Sequence, residues 1–228
     1  MKVVHRAGLA GARAATGAVV VIDVLRAFTV SAVALAQGAD EVIYVSDMEE
    51  ARALAAGRNA VLSAEVDGLP VEGVEISNSP SALAALDLHG RVLVQRSTSG
   101  VPAVAALPAA AGPVFAAALV VASATAEALR RAQAREVTLI ATGEDRGHPE
   151  DAACAAYLEA QLTGGRRLDL GRLLQPLYAS DRYQQLTTGA WPGFPPTDLA
   201  IALDPDRYDF AMPVSRDRNG YPRVRREE

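Results

Sequence analysis

The sequence is poor in cysteine and has no long hydrophobic run. Cys154 is the only cysteine among 228 residues, so an internal disulfide is excluded and a reducing compartment is expected. No apolar stretch reaches the roughly 18–20 residues that span a bilayer. The N-terminal segment also lacks the apolar core of a signal peptide, and Lys2 to Val4 predict a first strand. We therefore expect a cytoplasmic protein without a membrane segment.

Aromatic residues and positive charge are also scarce. Aromatic side chains make up 5% of the chain and hydrophobic residues 50%, so the core must consist mainly of Ala, Val and Leu. The formal net charge of −5 argues against a general nucleic-acid binder, which needs a basic face. The arginine-rich segment from Arg216 ends in two glutamates, which predicts a solvated tail. Three scattered histidines do not suggest a zinc site.

Short apolar, β-branched runs alternate with helical patterns along most of the chain. Besides the first strand, strands are predicted at 19–22, 41–45, 60–63, 91–95, within 114–122, at 137–141 and at 210–214. Helices are predicted over 29–37, 46–56, from Pro80, and over 124–133, 149–162 and 198–203. This βαβ rhythm predicts an α/β fold with a mainly parallel sheet and helices on both faces. No linker interrupts it, so residues 1–228 are predicted to form one domain.

Local signals mark several element ends. Ser46 and Glu49 have the spacing of a capping box, and Ser79-Pro80 is typical of an N-cap followed by proline at the first helical position. Asn219-Gly220 between two extended segments predicts a type I′ turn and a C-terminal β-hairpin.

In an open parallel sheet, ligands gather beyond the carboxyl ends of the strands. Asp23 directly follows the apolar run 19–22, and Arg26 comes three residues later. A carboxylate there can hold a divalent cation, and the guanidinium offers a bidentate fork to phosphate or sulfonate. An Asp–Arg pair at a helix start is the alternative. Leu25 occupies the position where the haloacid-dehalogenase motif requires a second acid.

Two further polar clusters follow the third predicted strand. Glu65 and Asp67 are two residues apart, so on an extended segment both would face the same way and could meet one cation. A solvated loop is the alternative. Asn78 and Ser79 stand at a helix start, where free amides favour an anion, although plain capping explains them as well.

The loop after the fourth predicted strand is rich in hydroxyl groups. It contains Arg96, Ser97, Thr98, Ser99 and Gly100. This composition suits a phosphate oxyanion, with a simple turn as the alternative. The spacing of its glycine and the missing lysine exclude a Walker A loop.

The segment 142–155 concentrates acidic residues. Glu144 and Asp145 lie in a loop before His148, and Glu150 and Asp151 lie in the first turn of the following helix. Four carboxylates within eight residues exceed what helix capping requires, which favours a metal or general-acid role. Cys154 lacks the arginine of a cysteine-phosphatase loop and is predicted to be a small buried core residue.

Taken in order, these motifs resemble the 2-phosphosulfolactate phosphatase family. The matching strings are VIDVLRAFT at 21–29, Glu65, NSP at 78–80, RSTSG at 96–100 and HPEDAACA at 148–155. Each string alone is unspecific, but their order and spacing agree from Val19 to the closing segment 206–214. The resemblance implies an α/β fold and a Mg²⁺-dependent phosphatase. It also implies hydrolysis of 2-phospho-3-sulfolactate to 3-sulfolactate and phosphate, a step toward coenzyme M.

The resemblance also suggests roles for individual residues. Asp23, Glu65 and either Glu150 or Asp151 are predicted to hold Mg²⁺. Asp151 is predicted to act as general acid or to position the attacking water. Asp23 is predicted to be catalytic. Direct attack by water on the phosphate and a covalent aspartyl intermediate at Asp23 both remain open mechanisms. The groups predicted to bind phosphate and a second anionic group are Arg26, Asn78, Ser79, Arg96, Ser97, Thr98, Ser99 and Gly100.

Four positions depart from the family pattern, and two alternative functions stay open. Ala64, Ser77, Val101 and Val121 replace residues usual in the family and are predicted to line the anion pocket.

The alternatives are a non-catalytic module that binds a small dianion, and a phosphatase that acts on another phosphoacid. The predicted partner is a small phosphorylated acid, with or without a sulfonate group. The Ala- and Leu-rich helices leave a homo-oligomer possible.

Overall fold

The computed structural model describes residues 1–58, 60–143, 147–164 and 168–227. The strands in these ranges follow the predicted apolar runs closely. They are β1 (Lys2–Ala7), β2 (Ala18–Ile22), β3 (Glu41–Tyr44), β4 (Val61–Val66), β5 (Leu69–Pro70), β6 (Val92–Arg96), β7 (Val114–Ala117), β8 (Glu136–Ala141), β9 (Val214–Arg216) and β10 (Pro222–Val224).

Helices occupy most of the connections between these strands. They are α1 (Gly8–Arg13), α2 (Ala27–Ala36), α3 (Met48–Arg58), α4 (Pro80–Leu83), α5 (Gly100–Ala105), α6 (Ala122–Arg131), α7 (Pro149–Thr163), α8 (Leu170–Leu173), α9 (Gln175–Tyr178), α10 (Asp181–Thr188) and α11 (Thr197–Ala202). A 3₁₀ turn at Leu119–Val121 precedes α6.

One sheet is entirely parallel. Its strand order is β1-β8-β2-β7, and β2 pairs with β8 on one side and β7 on the other. All five residues of β2 are buried. A parallel strand covered on both faces needs apolar side chains in both directions, which explains its uninterrupted sequence AVVVI.

A second, mixed sheet has the order β5-β4-β6-β3-β10-β9. Its three central strands β4, β6 and β3 are parallel, and β10 adds to β3 in the antiparallel direction. The two sheets meet just before β9, where Phe115 of β7 bridges to Pro213. The predicted α/β fold with a mainly parallel sheet is confirmed, and its strands are divided between these two sheets.

Apolar residues of both sheets share one core. The largest cluster of buried side chains includes Val20 of β2, Val42 of β3 and Phe28 of α2. Nine of the ten residues of α2 are buried, as expected for a helix that is hydrophobic on all sides. Cys154 is a free thiol buried in α7, as predicted. Among the described residues, no helix is long and apolar enough to cross a bilayer.

The C-terminal hairpin is confirmed, but its turn is not type I′. Arg216 of β9 pairs with Pro222 of β10, which leaves a longer loop than a two-residue turn. Of the described loop residues only Gly220 has a positive φ, 88°, whereas a type I′ turn needs positive φ at both central residues. The Asp217 carboxylate organises the loop by accepting hydrogen bonds from the amides of Asn219 and Tyr221.

The arginine-rich C-terminal segment is not a solvated tail. Arg223 and Arg225 both donate to the carboxylate of Glu41, at 2.8 and 2.9 Å. Glu41 is buried in β3, so these ion pairs fasten the segment to the sheet. The strand predicted at 210–214 starts only at Val214.

Helix caps agree with the sequence at one position and differ at another. Ser79 caps α4, as predicted, because its Oγ accepts a hydrogen bond from the Ala82 amide at 3.3 Å. The capping box predicted at Ser46 is wrong by one residue. The Oδ1 of Asp47 accepts from the Glu50 amide at 2.8 Å instead.

Candidate active site

The carboxyl ends of strands from both sheets meet at Asp23. Asp23 directly follows β2, and its Oδ2 accepts a hydrogen bond from the amide of Gly100 at 2.9 Å. Gly100 is the first residue of α5, the helix that follows β6 of the other sheet. The second oxygen, Oδ1, accepts from the Ala27 amide at the start of α2 at 3.0 Å. The candidate site therefore lies where the two sheets face each other.

Asp23 is a buried carboxyl group with a perturbed pKa. Burial raises the pKa of Asp23 to about 6, and the charges of Glu65 and Glu150 add to this effect. The amide hydrogen bonds from Ala27 and Gly100 act in the opposite direction. Such a group changes charge close to neutral pH and concentrates negative potential that a cation would offset.

Asp151 is the second buried carboxyl group of the site. It lies in the first turn of α7, where its Oδ1 accepts from the Val24 amide at 2.8 Å and its Oδ2 from the Gly143 amide at 2.9 Å. Burial raises the pKa of Asp151 well above its usual range, and the charge of Asp23 raises it further. Two like charges that interact in a buried site favour a state in which one of them is protonated.

Glu65 is held by the loop after β6 and by a hairpin turn. Its carboxylate accepts hydrogen bonds from the Thr98 amide and hydroxyl and from the Gly68 amide. Asp67 and Gly68 have φ values of 51° and 77° and form the two-residue connection between β4 and β5. Asp67 therefore does not continue an extended segment, and the predicted side-by-side arrangement with Glu65 is wrong, although both residues face the same cavity.

These side chains surround a cavity of about 240 Å³. Its wall combines acidic, basic, hydroxyl and apolar groups. The described residues that line it are Asp23, Leu25, Arg26, Glu65, Asp67, Gly68, Asn78, Thr98, Ser99, Thr142, His148, Asp151, Arg182, Leu186, Trp191 and Phe194.

Arg26 lines the cavity but is anchored from behind. Its Nη1 donates to Asp198 Oδ2 and to the Gly193 carbonyl, both at 2.8 Å, and its guanidinium stacks on Phe194 at 4.4 Å. Burial lowers the pKa of Arg26, and Asp198 opposes that shift. The predicted bidentate fork is thus partly engaged by the protein.

Asn78 and Ser79 have different positions. Asn78 lines the cavity with a φ of 51°, and its Oδ1 accepts from Gln95 at 2.9 Å. Ser79 is not among the described lining residues, because its hydroxyl caps α4 and donates to Asp198 at 2.8 Å. The structure therefore brings only the first of the two into the cavity wall.

The residues of the loop after β6 also differ in whether they line the cavity. Thr98 and Ser99 line the cavity. Arg96 donates instead to the carbonyls of Ser46 and Glu65, and Ser97 Oγ accepts from the Val101 amide at 3.1 Å. Within the described part of the cavity wall, Arg96, Ser97 and Gly100 do not appear, and these residues hold the loop in place.

Glu150 is not among the described residues that line the cavity. Its Oε1 accepts from Arg182 Nη1 at 2.8 Å, and burial raises its pKa while Arg182 lowers it. Glu144 and Asp145 lie outside the described residues. Of the acidic segment 142–155, Asp151 therefore reaches the cavity, together with His148 and Thr142.

Comparison with known proteins gives a consistent result. The family model for 2-phosphosulpholactate phosphatase matches residues 5–188. The chain belongs to the 2-phosphosulfolactate phosphatase family. It is 28% identical to a probable 2-phosphosulfolactate phosphatase of Bacillus subtilis over 200 residues, 87% of each chain. A protein of the same name from Carboxydothermus hydrogenoformans is 35% identical over 67% of this chain and 63% of its own length. Another from Thermus thermophilus is 32% identical over 63% of this chain and 61% of its own length.

Membership of the 2-phosphosulfolactate phosphatase family makes the four departures informative. Ala64, Val101 and Val121 are buried, and Ser77 is partly buried with a hydroxyl group that has no hydrogen-bond partner among the described residues. None of the four is among the described residues that line the cavity. The prediction that they line the anion pocket is therefore wrong for the described wall.

Several cavity residues of this phosphatase family member carry no sequence motif. Arg182 and Leu186 come from α10, and Trp191 and Phe194 come from the following loop. Asp198, fully buried in α11, reaches Arg26 across 172 positions of sequence. The single tryptophan in a Gly- and Pro-rich loop was the one available signal. The ion pairs of Arg182 and Asp198 had none.

The donor set for a Mg²⁺ ion is limited but suitable. Among the described residues, no three His, Cys, Asp or Glu side chains form a metal-binding group, so the four predicted carboxylates are not brought together. Mg²⁺ usually keeps several waters and uses one or two carboxylates plus substrate phosphate. Asp23, Glu65 and Asp151 face one cavity, and the charge of Asp23 raises the pKa of Asp151. One or two of these carboxylates would be enough for a site of this kind.

Proposed function

We propose that this chain is a Mg²⁺-dependent phosphatase that hydrolyses 2-phospho-3-sulfolactate to 3-sulfolactate and inorganic phosphate. The observation that carries the proposal is the pair of buried carboxyl groups, Asp23 and Asp151, that face one cavity with raised pKa values. Family membership supplies the substrate class. Hydrolysis of a phosphate ester needs charge neutralisation at the phosphoryl group and a proton for the leaving oxygen.

Asp23 would hold the cation, with Glu65 as a second carboxylate of the same cavity wall, while Asp151 keeps its proton. Bound Mg²⁺ supplies neutralisation of the phosphoryl charge and polarisation of phosphorus. The amides of Ala27 and Gly100 fix the Asp23 carboxylate, so it needs no reorientation when substrate enters. Ser99 offers its hydroxyl group to the phosphate oxygens from the same wall, whereas the Thr98 hydroxyl already donates to Glu65.

Asp151 is the proposed general acid. Thr142 Oγ1 has one hydrogen, and the Ile22 carbonyl at 2.9 Å is its nearer acceptor. Thr142 Oγ1 also lies 3.3 Å from Asp151 Oδ2, and this contact is satisfied when a protonated Asp151 donates to the hydroxyl. Burial favours that protonated form. A proton held at the cavity can then pass to the departing alkoxide oxygen.

Phosphate release from three esters tests this function. The substrates are 2-phospho-3-sulfolactate, 2-phospholactate and p-nitrophenyl phosphate, each with Mg²⁺ and with EDTA. We expect metal-dependent release that is fastest with the sulfonated ester. Release only from other phosphoesters would keep the reaction and discard the substrate. No release from any ester, with binding still detectable, would favour a non-catalytic dianion-binding module.

A further inference from the structure

Arg182 is a cation of the cavity wall that no sequence motif contains. It lies in the first turn of α10, and Leu186 follows one helical turn later on the same helix. Both side chains line the cavity, and the Arg182 side chain is 17% exposed. The helix α10 therefore presents a guanidinium group and an apolar side chain to whatever the cavity binds.

Glu150 fixes the orientation of this guanidinium. Arg182 Nη1 lies 2.8 Å from Glu150 Oε1, and the Glu150 side chain is only 1% exposed. Glu150 belongs to the first turn of α7, next to Asp151, so its position is set by the helix that also supplies a carboxyl group of the cavity. A buried ion pair anchored on a helix restricts the rotamers of the arginine and prepares it for a ligand.

The other arginines of the predicted site are more fully engaged. Arg26 Nη1 bonds to both Asp198 and Gly193, as described above. Arg96 donates to two carbonyls and to Thr98, and it is not among the described lining residues. Within the described part of the chain, Arg182 makes its single hydrogen bond to Glu150. Its remaining N–H groups can therefore serve a ligand.

We propose that Arg182 binds an acidic group of the substrate other than the phosphate, a sulfonate or a carboxylate, and so selects phosphorylated acids over simple phosphate monoesters. This inference rests on the proposed function. The Asp23 carboxylate repels a second anion, whereas a planar guanidinium matches two oxygens of a sulfonate or carboxylate and is weakly hydrated. Arg182 thus determines specificity at the same cavity in which the carboxylates carry out hydrolysis.

Equilibrium binding tests the proposal without requiring turnover. Calorimetric titrations with 3-sulfolactate, lactate and inorganic phosphate are made on the wild type and on Arg182→Gln, with Mg²⁺ present. We expect Arg182→Gln to weaken 3-sulfolactate binding by about 10- to 100-fold and phosphate binding by about threefold or less. An equal loss with lactate assigns Arg182 to the carboxylate, and a loss confined to 3-sulfolactate assigns it to the sulfonate.

Three variants guard against loss of folding and unspecific charge effects. Arg182→Lys keeps a cation beside Glu150 but lacks the fork, and the double variant Glu150→Gln, Arg182→Gln leaves no unpaired buried charge. Both should weaken 3-sulfolactate binding, the double variant as much as Arg182→Gln, with a native circular dichroism spectrum. Arg172→Gln removes a side chain that is 88% exposed and should bind like the wild type.

Two results would overturn the inference. One is that the folded Arg182→Gln protein and the double variant bind 3-sulfolactate as tightly as the wild type does. The other is a wild type that binds phosphate but neither acid. A third result would overturn only the proposed function. In that case 3-sulfolactate binding depends on Arg182, but the protein releases no phosphate from any ester.

Discussion

The carboxylate of Asp23 accepts a hydrogen bond from the amide of Gly100 at 2.9 Å, across 77 positions of sequence. This contact joins the end of β2 in the parallel sheet to the start of α5, which follows β6 of the mixed sheet. The Cβ that Gly100 lacks would lie 2.7 Å from Asp23 Oδ2 and 3.0 Å from the Phe28 ring. The approach of the two strand ends therefore depends on a residue without a side chain.

Gly100→Ala is expected to displace the Asp23 carboxylate. The added methyl group cannot be accommodated at these distances, so we expect at least about a tenfold loss of phosphate release and a loss of about 1–3 kcal/mol in the free energy of unfolding. Initial rates and urea denaturation measure the two effects.

Gly57→Ala is the matched control for this substitution. Gly57 lies in α3, and a Cβ added there meets no atom of the described residues within 4 Å. Because alanine is the better helix former, we expect up to about 1 kcal/mol of added stability and unchanged activity. A fully active Gly100→Ala protein would show that the close approach of the strand ends is dispensable.

Asp151→Asn is expected to separate general-acid catalysis from binding. An alkyl ester has a poor leaving group and needs a proton, whereas p-nitrophenol leaves readily without one. We expect kcat to fall about 10²- to 10⁴-fold with a 2-phosphoacid, and much less with p-nitrophenyl phosphate. Asp87→Asn, in an exposed pair with His89, is the control. Equal losses on both esters would argue for a positioning role.

The raised pKa of Asp23 predicts a pH dependence of stability. The pKa is about 6 in the folded protein and about 4 in the unfolded chain. Between these values the folded protein binds a proton that the unfolded chain has released. The free energy of unfolding therefore decreases as pH rises from about 4 to 6, by an amount on the order of 3 kcal/mol.

Urea denaturation in EDTA at pH 4.5 and 7.5 isolates this contribution. The wild type is compared with Asp23→Asn, in which the titrating group is absent. We expect the stability of the wild type relative to the variant to be larger at pH 4.5 than at pH 7.5. A difference that does not change with pH would mean that Asp23 titrates normally.

Asp198 is expected to be essential for stability although it lies outside every motif. It is fully buried and accepts hydrogen bonds from Arg26, Ser79 and the Ser81 amide. Asp198→Ala leaves the Arg26 charge buried without its partner, which should cost about 3–5 kcal/mol. Asp204→Ala breaks an exposed pair with Arg207 and should cost about 1 kcal/mol or less. Similar midpoints in urea would contradict this assignment.

The part of the site closest to the strands could be predicted from sequence. Asp23 stands out because it directly follows an apolar run, and Asp151 because it belongs to an acidic segment after another strand of the same sheet. Parallel strands bring the residues beyond their carboxyl ends together. The order of strands and their division into two sheets could not be predicted, since alternation of elements does not specify which strands pair. The role of Gly100 as a contact of Asp23 also depends on that pairing.

The remainder of the site comes from contacts that leave no local pattern. Arg182 and Asp198 lie in a C-terminal helical region whose sequence is typical of a solvated surface, and their partners Glu150 and Arg26 are far away in the chain. The turn at Asp67-Gly68 had a recognisable signal, because this dipeptide favours a two-residue hairpin. The prediction of an extended segment at Glu65 and Asp67 overlooked this turn signal.

The central claim is that the Asp23 carboxylate lies at the centre of a Mg²⁺-dependent phosphatase site. Its most direct test is phosphate release from 2-phospho-3-sulfolactate by the wild type and by Asp23→Asn at equal concentration with saturating Mg²⁺. We predict metal-dependent release by the wild type and none above background by a variant with a native circular dichroism spectrum. Release by Asp23→Asn at the rate of the wild type would contradict the claim.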